Sequence, residues 1–179
     1  MAVSALIQSF EPIADERSRV LILGTMPGEA SLAKNQYYAH ARNQFWPIMA
    51  QLFDFSPMLR YDERCEELLK HRVGVWDVLR CCLREGSLDS AIDTRSIVAN
   101  DFRAFFEHSS EITQIFFNGG NAQRLYTRHV LPGLPPPLSD LSRHRLPSTS
   151  PAYAAMAPDE KLRRWRQLID IESGRLFLN

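Results

Sequence analysis

The residues Gly24-Thr25-Met26-Pro27-Gly28 follow an apolar run and are bracketed by glycines, so their backbone amides can approach a ligand closely. They match neither GxGxxG nor a phosphate loop. Taken alone, the pattern is also that of a tight strand-to-loop turn. Tyr37 and Tyr38 offer rings that could stack on a flat base or cover a core edge. Asn43 stands where a helix should begin, which suits a helix cap, and its amide could equally position a water or read a base edge. Asp77 closes an otherwise apolar run. A carboxylate there needs a partner, whether Arg80, a loop, a water or a ligand. Asn118 precedes two glycines and could read a hydrogen-bonding edge or make a turn. Ser148, Thr149, Ser150 and Pro151 form a hydroxyl-rich stretch whose hydroxyls and amides could hold a phosphate, or form a solvent loop.

Other chemistries lack their residues. There is no HExxH, no GxSxG and no deaminase-type HxE with PCxxC. Cys65, Cys81 and Cys82 have no zinc spacing and are too few for an iron–sulfur cluster, so they read as reduced structural thiols. The formal net charge is zero, which argues against strong nonspecific nucleic-acid binding. Arginine supplies nearly all the positive charge. Arg143, Arg145, Lys161, Arg163, Arg164 and Arg166 fall close together, opposed by Asp159 and Glu160. On charge alone that stretch reads as a solvated face.

Four runs read as buried strands: 19–24, 73–78, 112–118 and 143–148, the last being polar and interrupted by Pro147. Helical patterns cover 45–53, 62–71, 122–130 and 158–171. In the last, Pro158 suits a first turn and Asp159 and Glu160 favour the positive helix end. Strands alternating with helices predict an α/β domain with a mainly parallel sheet, in which ligands bind beyond the carboxyl ends of the strands. Four places fall at such ends: 24–28, 76–78, 118–121 and 148–153. With 179 residues, 45% hydrophobic and 23% charged, one domain spanning 1–179 is expected. No apolar run is long enough to cross a bilayer and no leader pattern is visible, so a cytoplasmic protein without membrane contact is expected.

Together the motifs resemble the uracil-DNA glycosylase superfamily, and within it the hypoxanthine-DNA (deoxyinosine) glycosylases. The resemblance rests on LILGTMPGEASLAKNQYYAHARNQFWPIM at 21–49, with GVWDVLRCCLREGSLDSAI at 74–92, IFFNGGNAQ at 115–123 and LPSTSPAYA at 146–154. The mismatch-specific uracil glycosylases look more distantly similar. The resemblance implies a three-layer α/β/α sandwich around a four-stranded parallel sheet. It implies a pocket for one extruded nucleobase, with the 24–28 turn as a wall, Tyr38 stacked on the base and Asn43 orienting the attacking water. Ser148 to Pro151 would lie along the minor groove, with Ala152 and Tyr153 helping to fill the gap left in the duplex. Arg143, Arg145 and the basic residues after them would then face the DNA backbone. Met26 stands where the mismatch-specific enzymes place a catalytic asparagine, which shifts the burden to Asn43. Asp77 and Asn118 are expected to aid water or base recognition.

The expected activity is that of a monofunctional, monomeric DNA glycosylase that removes hypoxanthine from damaged DNA, leaves an abasic site and needs no metal or cofactor. Two rival readings stand beside it. One is a same-fold enzyme preferring uracil, xanthine or mismatched bases. The other is a binder of nucleic acid that has lost the chemistry.

Overall fold

The computed structural model describes residues 5–172. Four parallel strands form its central sheet: β2 (Val20–Gly24), β3 (Val73–Asp77), β6 (Gln114–Asn118) and β7 (Ser142–Leu146), in the order β3-β2-β6-β7. Every residue of β2 and β3 is buried, as expected of parallel strands covered on both faces. All four predicted strands are present, including the polar β7. As an edge strand it buries only Leu146 and keeps Ser142, Arg143 and Arg145 in solvent.

A second sheet is antiparallel and small, with the order β1-β4-β5: β1 (Ala5–Gln8), β4 (Leu79–Arg84) and β5 (Val98–Ala99). The sequence reading does not anticipate it, because cysteines and arginines break the apolar pattern of β4.

Helices cover both faces of the main sheet. Phe102 and Phe105 of α4 (Phe102–His108) pack on Trp76, and Tyr126 of α5 (Gly120–His129) packs on Phe117. On the other side Phe45 of α2 (Phe45–Leu52) meets Trp165 of α6 (Pro158–Trp165). This is the three-layer α/β/α arrangement. α3 (Tyr61–Lys70) lies between α2 and β3, and α1 (Glu29–Lys34) is a short helix whose chain reverses at Asn35, at φ 51°. The helix expected over 158–171 is divided at Arg166 into α6 and α7 (Gln167–Glu172).

Register decides what the sheet presents at its carboxyl end. Leu23 lies beside both Trp76 and Phe117, so the residues that follow, Gly24, Asp77 and Asn118, come level on three neighbouring strands. Alternation puts all three on one face. The chain leaves β2 toward β3 on one side and reaches β6 on the other, which makes this the crevice where doubly wound sheets bind ligands.

Candidate active site

A cleft of about 320 Å³ opens at this end of the sheet. Its walls include Gly24, Thr25, Met26, Pro27 and Gly28 after β2, Tyr38 and Asn43 before α2, Asp77 and Asn118 from strand ends, and Ser148, Thr149, Ser150 and Pro151 after β7. Four segments far apart in sequence therefore meet in one volume. That size lies at the lower end of small-molecule sites, roughly 300–1,000 Å³.

Gly24 has no side chain because two polar heads occupy the space. A Cβ there would lie 2.5 Å from Asp77 Oδ1 and 3.0 Å from the Tyr38 hydroxyl. Asp77 is 3% exposed, and its Oδ2 has no hydrogen-bond partner among the described residues. Burial pushes the carboxyl up to about 8. The negative charge of Asp89 adds to the rise, and the Arg84 guanidinium opposes it. The Asp77 side chain makes no ion pair with Arg80 among the described residues, and its backbone carbonyl accepts from Asn100 Nδ2 at 2.8 Å.

Tyr38 has a left-handed backbone, φ 55°, which is uncommon for a large side chain. Its surroundings enforce it. The ring stacks on Phe45 with centroids 4.0 Å apart, the next amide (Ala39) donates to Ser31 Oγ, and Trp46 Nε1 donates to the preceding carbonyl, that of Tyr37, at 2.8 Å. Burial also pushes the Tyr38 hydroxyl up, so it stays protonated. Tyr37 is different: it is buried, its hydroxyl is spent on the Phe10 and Glu11 carbonyls, and its role is packing. Phe45 and Trp46 are core residues.

Asn43 stands one residue before the N-cap of α2, which is Gln44, so it is not itself the helix cap that the sequence suggests. Its Oδ1 accepts from the Phe45 amide at 2.9 Å, which ties it to the first turn of α2, and its side chain still lines the cleft. Asn118 is less free. Its Nδ2 donates to Thr149 Oγ1 and its Oδ1 accepts from the Thr149 amide, while the Thr149 carbonyl accepts from the Gln44 amide. The next residue, Gly119, needs φ 100°, and a Cβ on it would meet Ser148 at 3.1 Å.

The 148–153 loop is also gripped from below by α6. Trp165 Nε1 donates to the Pro147 carbonyl at 2.9 Å, and Lys161 Nζ donates to the Tyr153 carbonyl at 3.3 Å. Lys161 is buried, and burial pulls its ammonium below the usual range.

None of the basic residues expected to face the DNA backbone lines the cleft itself. Arg143 donates to the Ser139 carbonyl and Arg145 lies against Gly120, and neither lines the cleft. Arg163 and Arg164 both pair with Glu160, and Arg166 lines a separate groove beside Leu162. Arg143 and Arg145, two apart on β7, share one exposed face of the edge strand.

Several contributors went unassigned in the sequence reading. His40, Ser87, Leu88 and Asp89 also line the cleft, Leu88 being 55% exposed. Arg84 is buried and joins two lips of the opening, its Nη2 donating to the Pro27 carbonyl and its Nε to the Gly86 carbonyl. A Gly-Ser turn directly after a strand, at 86–87, was the available signal for that loop.

Comparison with known proteins agrees with this geometry. The model of the family described as "Uracil DNA glycosylase superfamily" matches residues 11–169. A protein of Methanosarcina barkeri named "Hypoxanthine DNA glycosylase" is 34% identical over 113 residues, covering 63% of this chain and 70% of the relative. A protein of the same name from Methanosarcina acetivorans is 34% identical over 116 residues, covering 64% and 72%. The solution NMR structure of a candidate uracil DNA glycosylase from Methanosarcina acetivorans superposes with a TM-score of 0.73 at 30% identity, covering 92% of this chain and 99% of that one. With its fold, its cleft and the family match in agreement, the chain belongs to the uracil DNA glycosylase superfamily.

Proposed function

We propose that this protein is a monofunctional DNA glycosylase that takes deoxyinosine as substrate, releasing hypoxanthine and leaving an abasic site. The observation that carries the reading is the convergence of Tyr38, Asn43 and the glycine turn on one nucleobase-sized cleft, in a chain similar to two proteins named hypoxanthine DNA glycosylases.

A glycosylase must withdraw the nucleotide from the stack to reach its sugar bond. In the proposed complex the base enters beside Tyr38, whose ring is already held by Phe45. The backbone of the 24–28 turn lies against the base edge. Asn43 orients water toward C1′. An amide oxygen is too weak a base to remove a proton at neutral pH, so its contribution is placement. Asn118 acts through Thr149, by setting the loop that meets the strand. DNA is the partner, and the protein acts as a monomer in the cytoplasm.

Base release from a duplex carrying one deoxyinosine, read by alkaline cleavage at the abasic site, tests the assignment. Release from deoxyinosine, abolished in Asn43→Ala, is expected. Uracil and xanthine in the same position separate the specificity from the fold. Release from uracil alone would replace hypoxanthine by the substrate of the NMR neighbour's family name. DNA binding without any base release would make the protein a binder.

A further inference from the structure

Asp77 enters the chemistry in a form that the sequence does not reveal. Its carboxyl group ends β3 at the floor of the cleft, level with Gly24 and Asn118, and it is almost completely buried. A buried carboxylate needs a cation or several donors. Oδ2 has no hydrogen-bond partner among the described residues. The buried cation nearby is Arg84, whose charge opposes the rise without outweighing burial; its Nη2 and Nε are committed to the Pro27 and Gly86 carbonyls, and its Nη1, which has no partner among the described residues, makes no hydrogen bond to the carboxyl. The charge facing Asp77 from the 3₁₀ turn at 89–91 is that of Asp89, which is of like sign and itself held by Asn121 Nδ2 at 3.0 Å. The remaining ionisable neighbours are the hydroxyls of Tyr37 and Tyr38, both kept neutral by burial. The surroundings of Asp77 are those of a neutral acid.

Departure of a nucleobase asks for a proton at this place. As the bond to C1′ breaks, its electron pair goes to the base, and a base that leaves as an anion is a poor leaving group unless that charge is neutralised. Two other ionisable side chains line the cleft, Asp89, held by Asn121 Nδ2, and His40, whose Nδ1 accepts from the Arg42 amide; the remaining polar residues supply hydroxyls, amides and backbone groups, and Asp77 is the one at the floor. A carboxylic acid held in an apolar site is a well-attested way to keep a donor available at neutral pH.

We propose that Asp77 is the general acid of the reaction, donating the proton of its neutral carboxyl group to a ring nitrogen of the departing base. This rests on the glycosylase reading above. The C1′–N bond breaks, and its electrons stay with the base. The Asp77 O–H proton passes to the base, which leaves neutral. The oxygen of the water placed by Asn43 bonds to C1′ and releases a proton through solvent, which restores Asp77. One water is consumed and no other reactant is needed. Gly24 belongs to the same device, since its missing side chain leaves the space that the carboxyl occupies.

The test joins two measurements on the full chain. The first is the infrared spectrum of the free protein. A carbonyl band of a protonated carboxylic acid is expected at neutral pH; it should vanish as pH rises through about 8 and be missing in Asp77→Asn. The second is single-turnover base release from the deoxyinosine duplex across pH. The wild type should lose rate above about pH 8. Asp77→Asn should be slower by about a hundredfold or more and lack that alkaline limb, while binding the duplex within about twofold. An ionised Asp77 at neutral pH, or an alkaline limb that survives in Asp77→Asn, overturns the acid role and leaves the glycosylase reading standing. A wild type inert on deoxyinosine, uracil and xanthine overturns the glycosylase reading, and the acid role with it. The infrared measurement does not depend on activity, so the two failures are distinguishable.

Discussion

Asn118 and Thr149 are joined by two hydrogen bonds, Asn118 Nδ2 to Thr149 Oγ1 at 2.8 Å and the Thr149 amide to Asn118 Oδ1 at 2.9 Å. The pair locks the end of β6 to the loop after β7, and so fixes one wall of the cleft. Asn118→Ala removes both bonds and leaves the buried Thr149 hydroxyl and amide without them, at about 1–3 kcal/mol for each unsatisfied group. Hydrogen exchange in 148–153 is expected to rise, and KM for a lesion duplex to rise about tenfold with a smaller change in single-turnover rate. An unchanged exchange pattern would show that the loop is set by Gln44, Trp165 and Lys161 without Asn118.

Asn43→Ala separates placement of water from binding of DNA. The amide is oriented by the Phe45 N–H, so its removal leaves the cleft walls in place. Turnover on deoxyinosine should fall about a hundredfold or more, the scale at which misplaced reactants cost rate. Affinity for the duplex should stay within about threefold. Equal losses in both would make Asn43 a binding residue.

Gly24→Ala should close the floor of the cleft. Its Cβ would stand 2.5 Å from Asp77 Oδ1, in a strand held on both sides, so neither group can step aside without moving the sheet or the acid. Such overpacking costs about 1–3 kcal/mol. In a chain of this size that lowers Tm by roughly 2–12 °C. Base release is expected to fall much further than the loss of stability explains, because the displaced atoms are those that face the base. A variant with normal Tm and normal kinetics would show that the floor is open to change.

Asp77 also links stability to pH. Its carboxyl titrates near 3.8 when exposed and at about 8 in the folded protein, so the folded chain binds the extra proton between these values. Stability from this group is complete below about pH 4, declines as pH rises and is lost through about 8. Asp77→Asn removes the penalty of charging a buried group. Its Tm should match the wild type below about pH 4 and exceed it by about 5 °C or more near pH 9. Melting curves across that range check the sign, and a wild-type Tm that rises with pH would contradict it.

Leu88 and Tyr153 line the cleft and expose 55% and 40% of their surfaces. Exposed apolar groups at the entrance to a base pocket suit contact with unstacked bases. Replacing either by alanine should reduce the fluorescence rise of 2-aminopurine placed beside the lesion, by about half or more for Tyr153, whose carbonyl is fixed by Lys161. Affinity for undamaged duplex should hardly change. An undiminished signal in the double variant would remove both from the flipping step.

The elements that carry the site were legible because each is an apolar run that stops at a polar or glycine residue. β2, β3 and β6 end within a residue of where the pattern of burial demanded, so Gly24, Asp77 and Asn118 were found as strand ends before their register was known. α4 was missed although Asp101 caps it, accepting from the Ala104 amide, because its apolar face is short. Charges that the fold buries or half-buries were the harder loss. Arg84, Asp89 and Lys161 look in sequence like any solvated residue, and only the fold shows what they hold. Arg143 and Arg145, two residues apart on an edge strand, share one exposed side that lies outside the cleft, while Arg163 and Arg164 are drawn to Glu160, a division that the sequence does not show.

The Arg84 guanidinium has a consequence for how damage is found. One side chain spans the turn after β2 and the turn after β4, and the Glu29 amide bonded to Ser87 Oγ fastens the same two segments a second time. Those two lips of the cleft are therefore held at one separation. A protein that cannot widen its entrance to accommodate a paired base must wait for the duplex to open. On the proposed reading, discrimination begins in the nucleic acid itself: bases that pair poorly leave the stack more often and are sampled first, and the frequency of those excursions sets the search rate.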